Sequence, residues 1–390
     1  MPSPAPAMLF ALLTALGGVW GQDHPEQVVE PLETVEKLWG EGTFTEGGAT
    51  CADGSVLFSD IGDRIMRFNP STGETTVFRE PSGRANGMIF DARGRLIVAE
   101  GANSGGRRRI SITEPDGECR TLADRFEGKR FNSPNDVAID AKGRVYFSDP
   151  RYVGDEPREL DFEGVFRIDP DGRVSRLETS ARKPNGLVVS PDGRTLYVAD
   201  NGPDRRVLLA VDLDGAGNAS NPRVLYDFKG DAGIDGLTVA TDGRIVAATP
   251  QGVVVFAPDG RRLALIPTPE ASANVEFGGD GGRTLYIMAG ASLYRIPTNM
   301  TGYHVRPRLS LPASPPAHHL PPDRPRLLRV RPIGRIRTRR ANQGAKPYTN
   351  PHGLQILHQH SISYRIALKA IHWRRPMRIR RSRGRRPGGP

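Results

Sequence analysis

Six oxygen-bearing side chains recur at one fixed offset. Glu46, Asn86, Asn135, Asn185, Asp235 and Asn274 each stand eight residues before a turn glycine: Gly54, Gly94, Gly143, Gly193, Gly243 and Gly282. Their contexts are related as well: TEGGA, ANGM, PNDV, PNGL, IDGL and ANVE. A single Asn-Gly or Asp-Gly reads as a turn, because both residues tolerate left-handed backbone. Six at one offset, all carboxylate or carboxamide and none Ser or Thr, read instead as side chains delivered to one place. Converging carbonyl and carboxylate oxygens without His or Cys make a hard-cation site, suited to Ca2+, Mg2+ or Mn2+. Zinc stays open, since a catalytic zinc site accepts oxygen ligands. Six groups cannot all ligate one ion, so some of them are expected to hold water or substrate.

The elements that must position these residues are visible as a repeat. The turn glycines fall in ADGSVLFSD, ARGRLIVAE, AKGRVYFSD, PDGRTLYVAD, TDGRIVAAT and DGGRTLYIMA, at steps of 40, 49, 50, 50 and 39 residues. A Gly-containing pair between two apolar runs is a hairpin signal. Most units carry a second hairpin, on NPSTGE, EPDGE, DPDGR or APDGR, so each unit amounts to about four short strands. Four-stranded units at this period are propeller blades, and the expected fold is an all-β, six-bladed β-propeller over residues 33–304. The last unit is short, and VEKLWG (35–40) is expected to supply its missing outer strand. In such a ring the six residues start the channel-lining strands, all at one mouth. The acidic ends of the second strands, Asp60, Glu100, Asp149 and Asp200, are expected nearby.

Several stretches together resemble a known family: EGGAT…LFSDI, PSGRANGM, LADRFEGKRFNSPNDV, VYFSDPRY, KPNGLVVSPDGRTLYVAD, IDGL and ANVEFGGDGGRTLYI. In this order, from about Val35 to His304, they are similar to the gluconolactonase, senescence-marker-protein and luciferin-regenerating-enzyme family, nearest its bacterial gluconolactonase branch. The resemblance implies one divalent cation in the channel. Ca2+ is the expected ion, with Mg2+, Mn2+ or Zn2+ as alternatives. Its ligands would be Glu46, Asn185 and Asp235, with Asn135 near the metal and contacting water or substrate. The chain departs from the family at Gly48, Ala49 and Thr50, where Pro and often Trp occur, at Ser133, where animal members have Arg, and at Gly101, where bacterial members have His. The residues that recognise the sugar therefore differ.

The chemistry such a site permits is hydrolysis of a lactone carbonyl, polarised by the cation, with oxyanion stabilisation as water adds. Asp235 is the candidate general base and catalytic residue; water activated by the ion itself is the rival, because a cation lowers an adjacent carboxylate's pKa. Asn86 and Asn135, with Arg151 and Tyr152 on the loop after Asp149, are expected to contact water or substrate. No G-x-S-x-G elbow occurs, and His24 and His304 are the only histidines before residue 305, so a Ser-His-Asp triad is not expected. GANSGG opens no helix and is no dinucleotide motif. The expected activity is that of a carboxylic ester hydrolase acting on a small-molecule lactone. The alternatives are a non-catalytic ligand- or protein-binding propeller with a structural ion, or a related ester or phosphotriester hydrolase.

Charge supports that division of the chain. The 390 residues carry +10, but 21 of the 54 Lys and Arg and one of the 44 acids lie in 305–390. That stretch is +20 and residues 1–304 are −10, so the overall basicity is no sign of a nucleic-acid enzyme. The Arg/Pro-rich 305–390 segment lacks the repeat and any nucleic-acid-binding signature, and is expected to be disordered or a non-native reading appended to the domain. Neither nucleic acid nor membrane is expected as a partner, and the protein is expected to be a monomer. Met8–Trp20 is an apolar run too short to span a bilayer, and residues 1–22 read as a signal peptide, implying export to periplasm or medium. Two cysteines, Cys51 and Cys119, are too few for a disulfide framework.

Overall fold

All six turn glycines adopt positive φ, between 69° for Gly193 and 87° for Gly243, a conformation in which a side chain would be strained. Each turn closes a hairpin, and each hairpin opens one antiparallel four-stranded sheet. The computed structural model describes residues 28–30, 33–230 and 233–303. The expected signal peptide over 1–22, the basic segment over 305–390 and His304 lie outside them.

The six sheets are the blades of a six-bladed β-propeller. Their first strands, Thr45–Thr50, Ala85–Phe90, Val137–Ile139, Pro184–Val189, Leu237–Val239 and Ser272–Gly278, each occupy one edge of a sheet. Consecutive first strands touch, and the sixth touches the first, so together they ring a channel. The second strands, such as Val56–Asp60, Leu96–Glu100 and Val145–Asp149, are buried along their whole length. Covered by a blade on each face, they read as continuous apolar runs ending in an acid.

Apolar clusters fill the spaces between neighbouring blades. Phe131, Phe147 and Phe166 pack together in one of them, with Phe147 and Phe166 stacked at 5.3 Å. The ring closes as the short sixth repeat requires. Glu36–Trp39 pairs antiparallel with Ser292–Pro297 and completes the sixth sheet from the N-terminal side. Arg295 donates to Glu36 at 2.7 Å, and Trp39 meets Phe58 of the first blade edge-on at 5.4 Å. Among the described residues no helix is long and apolar enough to cross a membrane.

Candidate functional site

The Asn-Gly and Asp-Gly pairs of the first strands are not turns. Register shifts mark bulges at Glu46/Gly48, Ala85/Met88, Pro184/Leu187 and Ser272/Asn274. A bulge re-aims side chains and commonly borders an active site. Four of the six site residues are followed by a glycine (Gly47, Gly87, Gly186 and Gly236), which is there for space. A Cβ on Gly186 would lie 2.2 Å from the Asp235 carbonyl oxygen, and one on Gly236 would lie 2.3 Å from the Asn274 carboxamide. Across the same junctions the Gly87 N–H donates to the Asn135 carbonyl and the Gly186 N–H to the Asp235 carbonyl, each at 2.8 Å. The pattern therefore locks each blade's site residue against the next.

These junctions bring the side chains together. Asn185 Nδ2 donates to Asp235 Oδ1 at 2.6 Å, and Asn274 Nδ2 donates to Glu46 Oε2 at 3.2 Å. Glu46, Asn185 and Asn274 are buried. Asn86 and Asn135 are half-buried, and their carboxamides have no protein partner among the described residues. Burial, and then the charge of Asp235, pushes the Glu46 carboxyl well above its ordinary value. Burial likewise raises Asp235 to about 6, against the opposing hydrogen bond from Asn185.

Two more acids share the channel and are not among the six. Asp136 follows Asn135 and accepts from the Leu187 N–H of the next blade at 3.3 Å; burial raises it to about 7. Glu276 lies two residues beyond Asn274, on the same strand face, and accepts from the Thr50 N–H at 3.2 Å. Burial raises it to about 8, with the charge of Asp136 adding. None of the principal influences on these four carboxyls is a cationic side chain. Glu46 and Asp136, which are buried, and Asp235 and Glu276, which are half-buried, form an oxygen-only donor set beside carboxamides whose oxygens become available when the amide turns over. Among the described residues no three of His, Cys, Asp and Glu gather as a complete ligand cluster. Any ion here would have to take carboxamide oxygen as well, and Glu46, Asp235 and Asn185 fit a hard divalent cation in that way.

The acids ending the second strands do different work. Asp60 accepts from the N–H groups of Thr43 and Phe44, Asp149 from those of Asn132 and Ser133, and Asp200 from those of Arg182 and Lys183. These donors lie three and two residues before Glu46, Asn135 and Asn185. Asp63, in the connection after Asp60, does the same for Gly83 and Arg84 ahead of Asn86. Glu100 is engaged by Arg107 and Arg109. Asp60, Asp149 and Asp200 are thus clamps on the loops leading to the site, while Glu100 is held by arginines. Truncating Asp149 to Ala leaves two buried N–H groups without acceptors, at about 1–3 kcal/mol each. The expected result is a denaturation midpoint lowered correspondingly, with reduced turnover as Asn135 loses its fixed position.

Arg151 is likewise spent on the loop. It donates to the carbonyls of Asn132, Gly154 and Glu156, and its side chain is only 8% exposed. That corrects the expectation that its guanidinium faces substrate. Tyr152 is 43% exposed at the mouth, and its phenol lies close enough to feel the charge of Asp235. Cys51 and Cys119 are both free thiols; burial pushes Cys51 up to about 12, so it is inert.

Fold and site together define a six-bladed propeller with an oxygen-lined, acidic channel mouth. Residues 39–291 match the family model described as SMP-30/Gluconolactonase/LRE-like region, and the chain belongs to that family. It is 32% identical over 306 residues to a gluconolactonase of Zymomonas mobilis, covering 71% of this chain and 85% of that one. It is 28% identical to the pentonolactonase XacC of Haloferax volcanii, over 57% of this chain and 73% of the relative. Among solved structures, a gluconolactonase from Xanthomonas campestris superposes with a TM-score of 0.64 at 30% identity, over 70% of this chain and 91% of the other.

Proposed function

We propose that this chain hydrolyses sugar lactones to the corresponding aldonic acids, with a divalent cation held by Glu46, Asn185 and Asp235. It is a lactone-opening carboxylic ester hydrolase, as its gluconolactonase and pentonolactonase relatives are by name. The observation that carries the reading is the convergence of buried Glu46 and half-buried Asp235, neither with a cationic side chain among the principal influences on it, on the Asn274 and Asn185 carboxamides of the neighbouring blades.

A bound cation, Ca2+ by the hardness of its donors, would supply positive charge to polarise the lactone carbonyl and stabilise the oxyanion. The chain's own residues supply positioning and proton transfer. Asn185 engages Oδ1 of Asp235 and fixes the carboxylate plane, leaving Oδ2 to take the proton of the attacking water. Its pKa near 6 in the cation-free protein would fall beside an ion, making Asp235 a weaker but fully ionised base. Asn135 and Asn86, with carboxamides open to the channel, orient the water and the lactone. The apolar run Met8–Trp20 adds the proposal that the enzyme acts after export.

The test is acid release from glucono-δ-lactone and from pentonolactones, before and after treatment with EDTA. Hydrolysis that disappears on chelation and returns with Ca2+ is expected. Hydrolysis of no lactone would favour a ligand-binding propeller, and turnover indifferent to chelation would remove the cation from the mechanism.

A further inference from the structure

The rim of the channel carries a positive charge that the hydrolytic machinery does not use. Lys183 lies in the bend immediately before the strand Pro184–Val189, two residues ahead of Asn185. Its backbone is fixed on both sides: its N–H donates to Asp200 at 2.8 Å, and its carbonyl accepts from the Asn201 N–H at 2.9 Å. The basic residues around it are neutralised, Arg182 by Asp204 and Arg205 by Asp200. Lys183 has no carboxylate partner among the described residues. Its ammonium instead lies over the ring of Tyr152, 4.5 Å from the centroid, and that tyrosine is 43% exposed at the mouth. A cation held over an aromatic face keeps its charge directed to whatever sits on the open side.

We propose that Lys183 and Tyr152 form an outer subsite selecting lactones that carry a second, anionic group at the end remote from the ring carbonyl. The proposal rests on the lactonase reading above and assigns its substrate class. The acidic channel takes the uncharged lactone end, while the rim takes a carboxylate or phosphate, with the sugar's C–H face against the Tyr152 ring. A ligand negative at both ends would be repelled by the acids below, so the polarity of the two sites also sets its orientation.

The experiment compares kcat/KM for neutral glucono-δ-lactone with that for 6-phosphogluconolactone and for a glucaric acid monolactone; the two anionic substrates distinguish phosphate from carboxylate recognition. At least a tenfold preference for one of them is expected. Lys183→Met should reduce that ratio about tenfold, through KM, while Lys183→Arg retains it. Calorimetric titration with gluconate, negative at one end only, and with neutral glucitol reads the same subsite without turnover: gluconate should bind more tightly, and Lys183→Met should erase the difference. A wild-type preference for the neutral lactone overturns the proposal, as does a ratio that Lys183→Met, folded by circular dichroism, leaves unchanged. If no lactone is hydrolysed, the lactonase reading fails by itself, and the titration still decides the subsite: equal binding of gluconate and glucitol overturns it.

Discussion

Asp235→Asn is expected to lower kcat/KM for lactone hydrolysis by about 10³-fold while leaving the propeller intact, within the 10²- to 10⁴-fold that a positioned base contributes. The replacement is isosteric. Its carboxamide oxygen can still accept from Asn185 Nδ2, so the 2.6 Å contact survives, while the group loses its capacity to take a proton. It also removes one of the mutually repelling buried charges, since Asp235 is a named cause of the raised Glu46 carboxyl. The cation-free variant should therefore be at least as stable as the parent, which separates lost chemistry from lost fold. Glu46→Gln provides the contrast. Glu46 has no assigned proton-transfer role, so its loss should weaken ion affinity, and turnover should recover at high Ca2+. Asp235→Asn should not recover. Activity within tenfold of the parent, or restored by Ca2+, would leave Asp235 a ligand only and hand the base role to water activated at the ion.

The fold was legible because its signal is repeated and local. Six glycines forced to positive φ at nearly equal steps can be counted in the sequence, and a short last repeat announces the strand Glu36–Trp39 that completes it. The six site residues were legible for the same reason, through the common offset. What repetition hides is the exception. Asp136 stands where four of the other blades have glycine (Gly47, Gly87, Gly186, Gly236), and Glu276 stands where the others have Gly48, Met88, Val137, Leu187 and Leu237. Aligning the repeats by the turn glycine and asking which blade breaks the column would have found both acids. The duties of Asp149, Asp200 and Arg151 were beyond such a reading. An acid at a strand end and an arginine two residues later look the same in sequence whether they face the channel or bind backbone groups. That choice is made by the path of the loops, which brings the Asn132 and Ser133 N–H groups within 2.7 Å of Asp149.

The cation-free protein should be more stable at pH 5.5 than at pH 8, and Ca2+ should largely remove that dependence. An acid whose folded pKa lies above its unfolded value near 4 binds more protons in the folded state between the two values. Stability then falls as pH rises through that window. Asp235 at about 6, Asp136 at about 7 and Glu276 at about 8 place the loss between roughly pH 4 and 8, with Glu46 acting in the same direction. The Asp235 shift alone corresponds to on the order of 3 kcal/mol. Acids held low, such as Glu270 at about 2, are ionised in both states across this range and add no slope. Asp149, raised to about 7 by burial outside the channel, contributes a part that Ca2+ cannot alter. The difference between chelated and Ca2+-saturated protein therefore isolates the channel acids. Denaturant midpoints at the two pH values, with EDTA and with Ca2+, read it directly. At 100-fold excess over Kd the ion should add about 2.7 kcal/mol, and more at pH 8, where its ligands are already deprotonated. Stability that climbs with pH in the chelated protein would mean that the channel acids are not held protonated by burial. A slope that Ca2+ leaves untouched would mean that the ion binds elsewhere.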